Sequence, residues 1–217
     1  PLVEEIVVEP STSSSNTPTH AKNPAKRVHL PTEFDQHMQS LGTHQIQAFD
    51  ILRFKTCSES DRKECAFRFV KFALKDSSQA PALARLALSI LQLNMKATNN
   101  KKTFINYLSD ECEVKLTWYK NTAKVNWVEM EAFGIFVGEL YNLEVLRIFI
   151  MNTWLDNTKR MADSNDLALK MFFKVVKLIY MKMKSKDGKT LTQMMKHLEG
   201  YKNSNRIPAA YVTWYNN

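Results

Sequence analysis

Proline is almost absent from the chain after its first 31 residues. Five of the seven prolines lie in that first part, which leaves Pro81 and Pro208 for the rest of the 217 residues. The whole chain contains only five glycines. Because proline and glycine interrupt helices more strongly than other residues, a long stretch nearly free of both predicts an all-α body.

The first 33 residues differ in composition from everything that follows. They contain no aromatic residue and include the polar run STSSSNTPTH, residues 11–20. Such a segment buries too little apolar surface to offset its chain entropy, so residues 1–33 are predicted to form a disordered arm. Its one apolar run, VEEIVVEP at residues 3–10, could pair with a partner or a sheet edge. The helical domain is predicted to occupy residues 34–217.

Apolar residues recur at helical spacing through this domain. In residues 59–76, Ala66 and Phe69 fall on one face, and Ser60 or Asp61 is predicted to cap the helix. The same pattern predicts a series of helices, namely 44–56, 59–76, 77–96, 101–120, 125–142, 143–157, 164–184 and 189–203, with a short last piece over 206–217. Consecutive helices with short links predict either a bundle or stacked antiparallel helix pairs.

Two glycines interrupt the most apolar stretch, FGIFVGELYNLEVLRIFI at residues 133–150. Positions four apart lie on one face of a helix, so Gly134 and Gly138 are predicted to form a smooth patch where a neighbouring helix comes close. Each glycine costs about 1 kcal/mol relative to alanine in a helix interior, and a close contact would offset that cost. Glu139 is predicted to flank this crossing.

Positive charge is concentrated near the end of the chain. Residues 159–206 hold twelve lysines and arginines against four acids, a difference of eight that equals the net charge of +8 for the whole chain. Lys170, Lys174, Lys177 and Lys184 recur at helical spacing and form one stripe, opposite Phe172. Lys182, Lys186 and Lys189 are predicted to extend this stripe.

Three interpretations of the lysine stripe remain open at this stage. Such a stripe can follow the phosphates of RNA without reading the sequence, and its affinity then falls with salt. It could equally meet the acidic surface of a protein partner, or only keep the chain in solution. The aromatic residues Trp118, Trp127 and Trp154 could offer stacking surfaces for bases, although Trp154 is predicted to lie in the core. Tyr211, Trp214 and Tyr215 are predicted to cap the last helices or to remain exposed.

Catalytic chemistry finds little support in the sequence. No Gly-rich phosphate loop and no G-x-S-x-G motif occur, and the five histidines are isolated, so we expect no catalytic residues, no metal site and no cofactor. Cys57, Cys65 and Cys112 form no C-x-x-C motif and are predicted to be free thiols in a reducing compartment. This predicts a cytoplasmic protein, with the nucleus as the alternative. No stretch reaches the roughly 18 apolar residues that span a bilayer, so no membrane association is expected.

Four segments resemble a known family in the same order and with similar gaps. FGIFVGELYNLEVL at 133–146 resembles the helix hairpin F-I-G-E-L-(F/Y)-(K/N)-L-x-(M/L)-L of the middle domain of eukaryotic translation initiation factor 4G and its relatives. Residues 69–91, 102–117 and 187–207 are similar to further motifs of that domain, the last of them through its closing SNRI. The resemblance covers about residues 60–217. Poly(A)-binding-protein-interacting protein 1 and Mextli carry the same domain type.

The resemblance implies an α-solenoid of about five stacked antiparallel helix pairs of the HEAT type. It also implies a monomeric, non-enzymatic scaffold in messenger RNA translation or messenger RNA fate. Such a scaffold would bind a DEAD-box RNA helicase of the initiation factor 4A type, RNA, or other translation or decay factors. Two alternatives remain: an RNA-binding helical domain without a helicase partner, and a helical adaptor that binds a peptide between helix pairs.

Overall fold

The computed structural model describes residues 29–40, 51–94, 102–122 and 124–216. These residues form α-helices and one short 3-10 turn, and none of them lies in a strand. The helices are α1 (Leu30–Ser40), α2 (Arg53–Thr56), α3 (Glu59–Ala73), α4 (Ala80–Asn94), α5 (Phe104–Asn121), α6 (Trp127–Asn142), α7 (Ile148–Ala162), α8 (Asp166–Lys186), α9 (Gly188–Asn203) and α10 (Ala209–Asn216). The predicted all-α fold class is confirmed.

Side chains at the helix starts satisfy backbone N–H groups that have no partner inside the helix. The Ser58 hydroxyl accepts a hydrogen bond from the Asp61 N–H at 3.0 Å, so α3 is capped by Ser58 and the predicted cap at Ser60 or Asp61 is wrong. Thr103 and Asn106 form a reciprocal capping box at the start of α5. Local sequence therefore determines where these helices begin.

The helices form two layers, in which each helix packs beside the one that lies two further along the chain. One layer contains α1, α3, α5 and α7, and the other contains α2, α4, α6 and α8. Neighbours within a layer run parallel: Lys174 and Lys182 of α8 pair with Glu131 and Glu144, in the same order along the chain. The chain therefore crosses between the layers at every link, and consecutive helices run antiparallel.

Hydrogen bonds across each layer reveal a repeat. Those that join helices two apart connect residues separated by 33 (Arg68 to Asp35), 41 (Asn157 to Leu116) and 38 (Tyr201 to Asp163) positions. The largest such separation is 48 positions, between Tyr107 and Glu59. Helical repeats of the HEAT and armadillo type have periods of about 40–47 residues. The architecture is solenoid-like, built from a helix pair as its unit.

The buried side chains form one continuous core between the layers. At its first end the rings of Phe34, Phe54, Phe69 and Phe104 pack together with centroid distances of 5.0–6.0 Å. Phe69 also contacts Phe136 at 5.7 Å, which links this cluster to α6. Each aromatic pair adds about 0.5–1.5 kcal/mol to the free energy gained by burying its area.

Several predicted boundaries can be compared with the observed ones. The arm predicted over residues 1–33 lies mostly outside the described residues, but its last part, from Leu30, forms the first turn of α1. Leu30 and Pro31 are buried there, so the helical domain begins before Phe34. Of the helix predicted over 44–56, residues 44–50 lie outside the described part and the remainder contains α2. The helix predicted over 143–157 begins at Ile148 and continues to Ala162.

Candidate functional site

Helix α8 carries the lysine-rich candidate site and is anchored along one side. The Asn165 side chain accepts hydrogen bonds from the N–H groups of Leu167 and Ala168, at 2.9 and 3.1 Å, which caps its first turn. Phe172, Val176 and Ile179 are fully buried against the rest of the core. This packing fixes the rotation of the helix and presents the opposite side to water.

The structure divides the predicted lysine stripe into two groups. Lys170, Lys177 and Lys184 are exposed and make no ion pair within the part of the chain that the structure describes. They follow one another every seven residues, which places their backbone positions about 10 Å apart along the helix axis. Lys189 lies in the first turn of α9, beyond the end of α8. The unpaired stripe on α8 therefore consists of three lysines.

The other lysines of α8 neutralise acids of the neighbouring helix α6. Lys174 forms an ion pair with Glu131. Glu144, just past the end of α6, lies 2.5 Å from the Lys182 ammonium and 3.3 Å from that of Lys186. These two lysines hold the pKa of the Glu144 carboxyl below its ordinary value. Lys174, Lys182 and Lys186 consequently contribute less net positive field than the sequence alone suggests.

Glu144 occupies a backbone position that usually favours glycine. Its φ is 59°, in the left-handed region, and it follows the last turn of α6. The N–H of Val145 donates to the carbonyl of Leu140 at 2.9 Å and that of Glu144 donates to Tyr141 at 3.0 Å, which is a Schellman motif. A glutamate at this position costs free energy that a glycine would avoid. Its carboxylate offsets part of that cost through Lys182 and Lys186.

The two glycines of α6 contact two different helices. A Cβ added at Gly134 would lie 2.6 Å from Cε2 of Trp154 in α7, a residue that is fully buried, as predicted. A Cβ added at Gly138 would lie 2.8 Å from Cδ2 of Leu178 in α8. Both distances are shorter than a van der Waals contact permits. Glu139, beside them, is half-buried, and burial raises the pKa of its carboxyl while Arg85 opposes that shift.

Arg206, one of the twelve basic residues, has a structural role that the sequence did not indicate. Its guanidinium donates to the carbonyls of Asp163 and Ala162 at 2.8 and 3.0 Å, and lies 3.2 Å from the Asp166 carboxylate. These carbonyls end α7, so Arg206 caps that helix from a loop about forty residues further along the chain. It belongs to the SNRI segment.

Histidine and cysteine side chains serve the packing. Tyr201 donates a hydrogen bond to Asp163 at 2.7 Å, so His197 Nε2, 2.9 Å from the Tyr201 hydroxyl, is the donor to that oxygen. Burial and the nearby Lys159 lower the pKa of His197. The three cysteines are free thiols, as predicted.

Neither a metal centre nor a membrane span can be assigned in the described ranges. No cluster of three or more histidine, cysteine, aspartate or glutamate residues there could hold a metal ion. None of the described helices combines the length and apolarity needed to cross a bilayer.

The aromatic residues that could stack on bases lie in different environments. Trp118 is exposed on α5, with the Lys115 ammonium 4.3 Å from its ring centroid. Tyr211 stacks on Phe173 of α8 at 5.6 Å, and Trp214 contacts Tyr180 of α8 at 5.8 Å. Tyr211 and Trp214 are therefore half-buried where α10 packs on α8, and the predicted capping role agrees with this packing better than free exposure does.

Comparison with known protein families and curated proteins assigns no function to this site. No protein-family model matches the chain, and a search among curated proteins finds no match either. The resemblance of residues 60–217 to the middle domain of initiation factor 4G stays a prediction, carried by the four segments named above.

Proposed function

We propose that this protein is a non-enzymatic scaffold in messenger RNA translation or messenger RNA fate, and that the exposed face of α8 contacts RNA. The observation that carries the RNA contact is the row of Lys170, Lys177 and Lys184, which have no acidic partner in the described structure. Charges spaced along a straight helix suit the phosphates of a single strand, because they require no base recognition.

The helicase partner rests on the family resemblance together with the helix-pair architecture. Solenoids of stacked helix pairs offer extended surfaces for other proteins, and their function depends on side chains that the fold leaves exposed. The motif FGIFVGELYNLEVL lies where α6 ends and the chain turns towards α7. We therefore place a DEAD-box helicase of the initiation factor 4A type first among protein partners, in the cytoplasm.

One experiment separates the scaffold from an RNA-binding domain that has no helicase partner. The chain is used to capture a purified DEAD-box helicase, with and without nuclease. Capture that survives nuclease supports a direct protein contact. Capture that is lost with nuclease assigns the interaction to bridging RNA and favours the alternative.

A charge-reversal triple variant tests the RNA contact. Reversal of Lys170, Lys177 and Lys184 to glutamate is expected to weaken binding of a single-stranded RNA by at least about 100-fold at low salt. It should also reduce the slope of log affinity against log salt by about 2, because three phosphate contacts are lost. Binding measured by fluorescence anisotropy over a salt series gives both quantities.

The matched control makes the same charge change on the other layer. Lys63→Glu, Lys71→Glu and Lys75→Glu on and just after α3 alter the net charge equally and also replace exposed lysines. This control should lower RNA affinity by no more than a few-fold, because only the net charge of the protein changes. An equal loss in both triple variants would show that net charge, and not the α8 face, attracts RNA.

A second candidate function, a helical adaptor that binds a peptide, is favoured by a different observation. Three large apolar side chains remain exposed side by side in the layer of α3 and α5, at Phe67, Val114 and Trp118. Exposed apolar clusters of this kind mark interaction sites more often than scattered single residues do.

A further inference from the structure

An open apolar groove lies between α3 and α5, away from the lysines of α8. Its volume is about 340 Å³, and Phe67 and Leu74 of α3 face Val114 and Trp118 of α5 across it. Phe67, Val114 and Trp118 are 48, 65 and 44% exposed, although they are large and apolar. An occupant that removes this apolar surface from water gains about 25 cal/mol for each Å² that it buries.

The groove exists because α3 has two apolar sides. Cys65, Phe69 and Ala73 face the core and are fully buried. Phe67 and Leu74 are seven residues apart and therefore lie on one line along the outer side. On α5, Val114 and Trp118 are four residues apart and therefore also lie on one side of their helix. The outer apolar line has no covering helix in the described part of the chain.

Positive charge borders one end of the groove. Lys71, Lys115 and one acid, Glu111, line the groove, while Lys75 lies just after α3 and Lys120 in the last turn of α5. Lys71 and Lys75 are exposed and make no ion pair within the residues that the structure covers. Lys115 lies over the Trp118 ring and 3.4 Å from the Glu129 carboxylate. An occupant that fits needs apolar side chains for the centre and carboxylates for this end.

We propose that the α3–α5 groove binds residues 2–9 of this same chain, LVEEIVVE. Within eight residues this segment has five apolar side chains and three glutamates, and it has no lysine or arginine. It is the one run in the first 28 residues that combines these two properties. The docking proposal is independent of the RNA-binding proposal for α8, which does not use this segment.

The position of α1 brings the segment within reach of the groove. His29 Nε2 lies 2.9 Å from the Asp61 carboxylate in the first turn of α3, so the chain leaves the described structure beside that helix. From Asp61 to Lys71 the helix rises about 15 Å. The nineteen residues between the segment and His29 span on average about 25 Å when flexible. The tether is therefore long enough, and it places the segment near the groove at millimolar effective concentration.

A competition experiment on the full chain tests the docking. The probe is a fluorescent peptide of residues 1–10, acetylated at its amino end, and its affinity is measured for the wild-type chain and for a Val3→Asp/Ile6→Asp variant. In the variant the tethered segment no longer occupies the groove, so the peptide is expected to bind at least about 10-fold more tightly. Ser14→Asp, which adds a charge outside the segment, is the matched control and should behave like the wild-type chain.

Groove variants locate the binding site. Lys71→Glu/Lys75→Glu, added to the Val3→Asp/Ile6→Asp chain, should weaken peptide binding at least about 10-fold, because like charges then face the glutamates. Lys196→Glu, at an exposed position of α9, should leave peptide binding unchanged, and circular dichroism confirms that each variant is folded. Equal peptide affinity in the wild-type and Val3→Asp/Ile6→Asp chains, or no binding to either, would overturn the proposal. A wild-type chain that is dimeric in light scattering, and monomeric after Val3→Asp/Ile6→Asp, would assign the occupant to a second copy instead.

Discussion

Two interfaces between neighbouring helices of one layer, here called seams, differ in how they are closed at the protein surface: the α6–α8 seam and the α3–α5 seam. Between α6 and α8, Gly138 admits the Leu178 side chain, Asn142 donates a hydrogen bond to the Leu178 carbonyl at 3.1 Å, and ion pairs close the outer edge. Between α3 and α5, the inner side is packed as well, but Val114 and Trp118 remain exposed outside. A closed seam contributes stability, whereas an open seam also keeps apolar surface for an occupant.

The largest contrast is expected when bulk is added to each seam. Gly138→Leu forces a side chain into the space of Leu178 and should reduce the free energy of unfolding by about 3 kcal/mol. Val114→Leu adds volume in the open groove and should change it by less than about 0.5 kcal/mol. Urea unfolding followed by circular dichroism measures both. Similar losses for the two variants would show that the seams do not differ in packing.

A smaller loss is expected at the other glycine of α6. Gly134→Ala places a methyl group against the buried Trp154 indole, which cannot move far, and should cost about 2 kcal/mol. Gly200→Ala in α9 is the matched control, because a Cβ there meets nothing within 4 Å. It should stabilise the protein by up to about 1 kcal/mol through higher helix propensity. Stabilisation by both substitutions would contradict the close contact at Gly134.

The ion pairs at the outer edge of the closed seam should contribute less than its packing. A double-mutant cycle with Lys174→Gln and Glu131→Gln is expected to give a coupling free energy of about 0.5 kcal/mol, since both side chains are partly exposed. The coupling should shrink in about 1 M salt, where the Debye length is about 3 Å. As the control, a second cycle that combines Lys71→Gln in the open seam with Glu131→Gln should give no coupling free energy. A coupling that does not respond to salt would contradict an exposed ion pair.

The smallest expected effect is the pH dependence that Glu144 adds to the closed seam. Lys182 and Lys186 lower the pKa of this carboxyl from its ordinary value of 4.5, so the folded state binds its proton less readily than the unfolded state. The stabilisation is therefore fully present above pH 4.5 and is lost as the pH falls through the lower, folded pKa. Between pH 7 and pH 3, the urea midpoint should fall slightly more for the wild-type chain than for Glu144→Gln. Identical falls would exclude a pairing of Glu144 with the two lysines in solution.

Much of the fold could be predicted from neighbouring residues. The paucity of proline and glycine predicted helices throughout, and the apolar spacing placed Ala66, Phe69 and Trp154 in the core, where the structure has them. The predicted starts at residues 59, 125 and 189 agree within two residues with the observed starts of α3, α6 and α9, at Glu59, Trp127 and Gly188. Helix formation and capping depend on residues within about four positions, which is why the sequence pattern was sufficient there.

The site could be predicted only in part, because its charges are balanced by residues far along the chain. Spacing placed four lysines of α8 on one stripe, yet only the packing of α6 beside α8 reveals that Glu131 neutralises Lys174, across a separation of 43 positions. The same holds for Arg206, whose hydrogen bonds reach back to Ala162 and Asp163.

The sequence alone thus determined that the chain forms amphipathic helices and which residues each helix buries. The tertiary structure decided which lysines stay unpaired, which helices meet at Gly134 and Gly138, and which seam stays open. The physical reason is the range of the interactions. Backbone hydrogen bonds and helical periodicity act within a few residues, whereas ion pairs and close packing require that distant segments first be brought together.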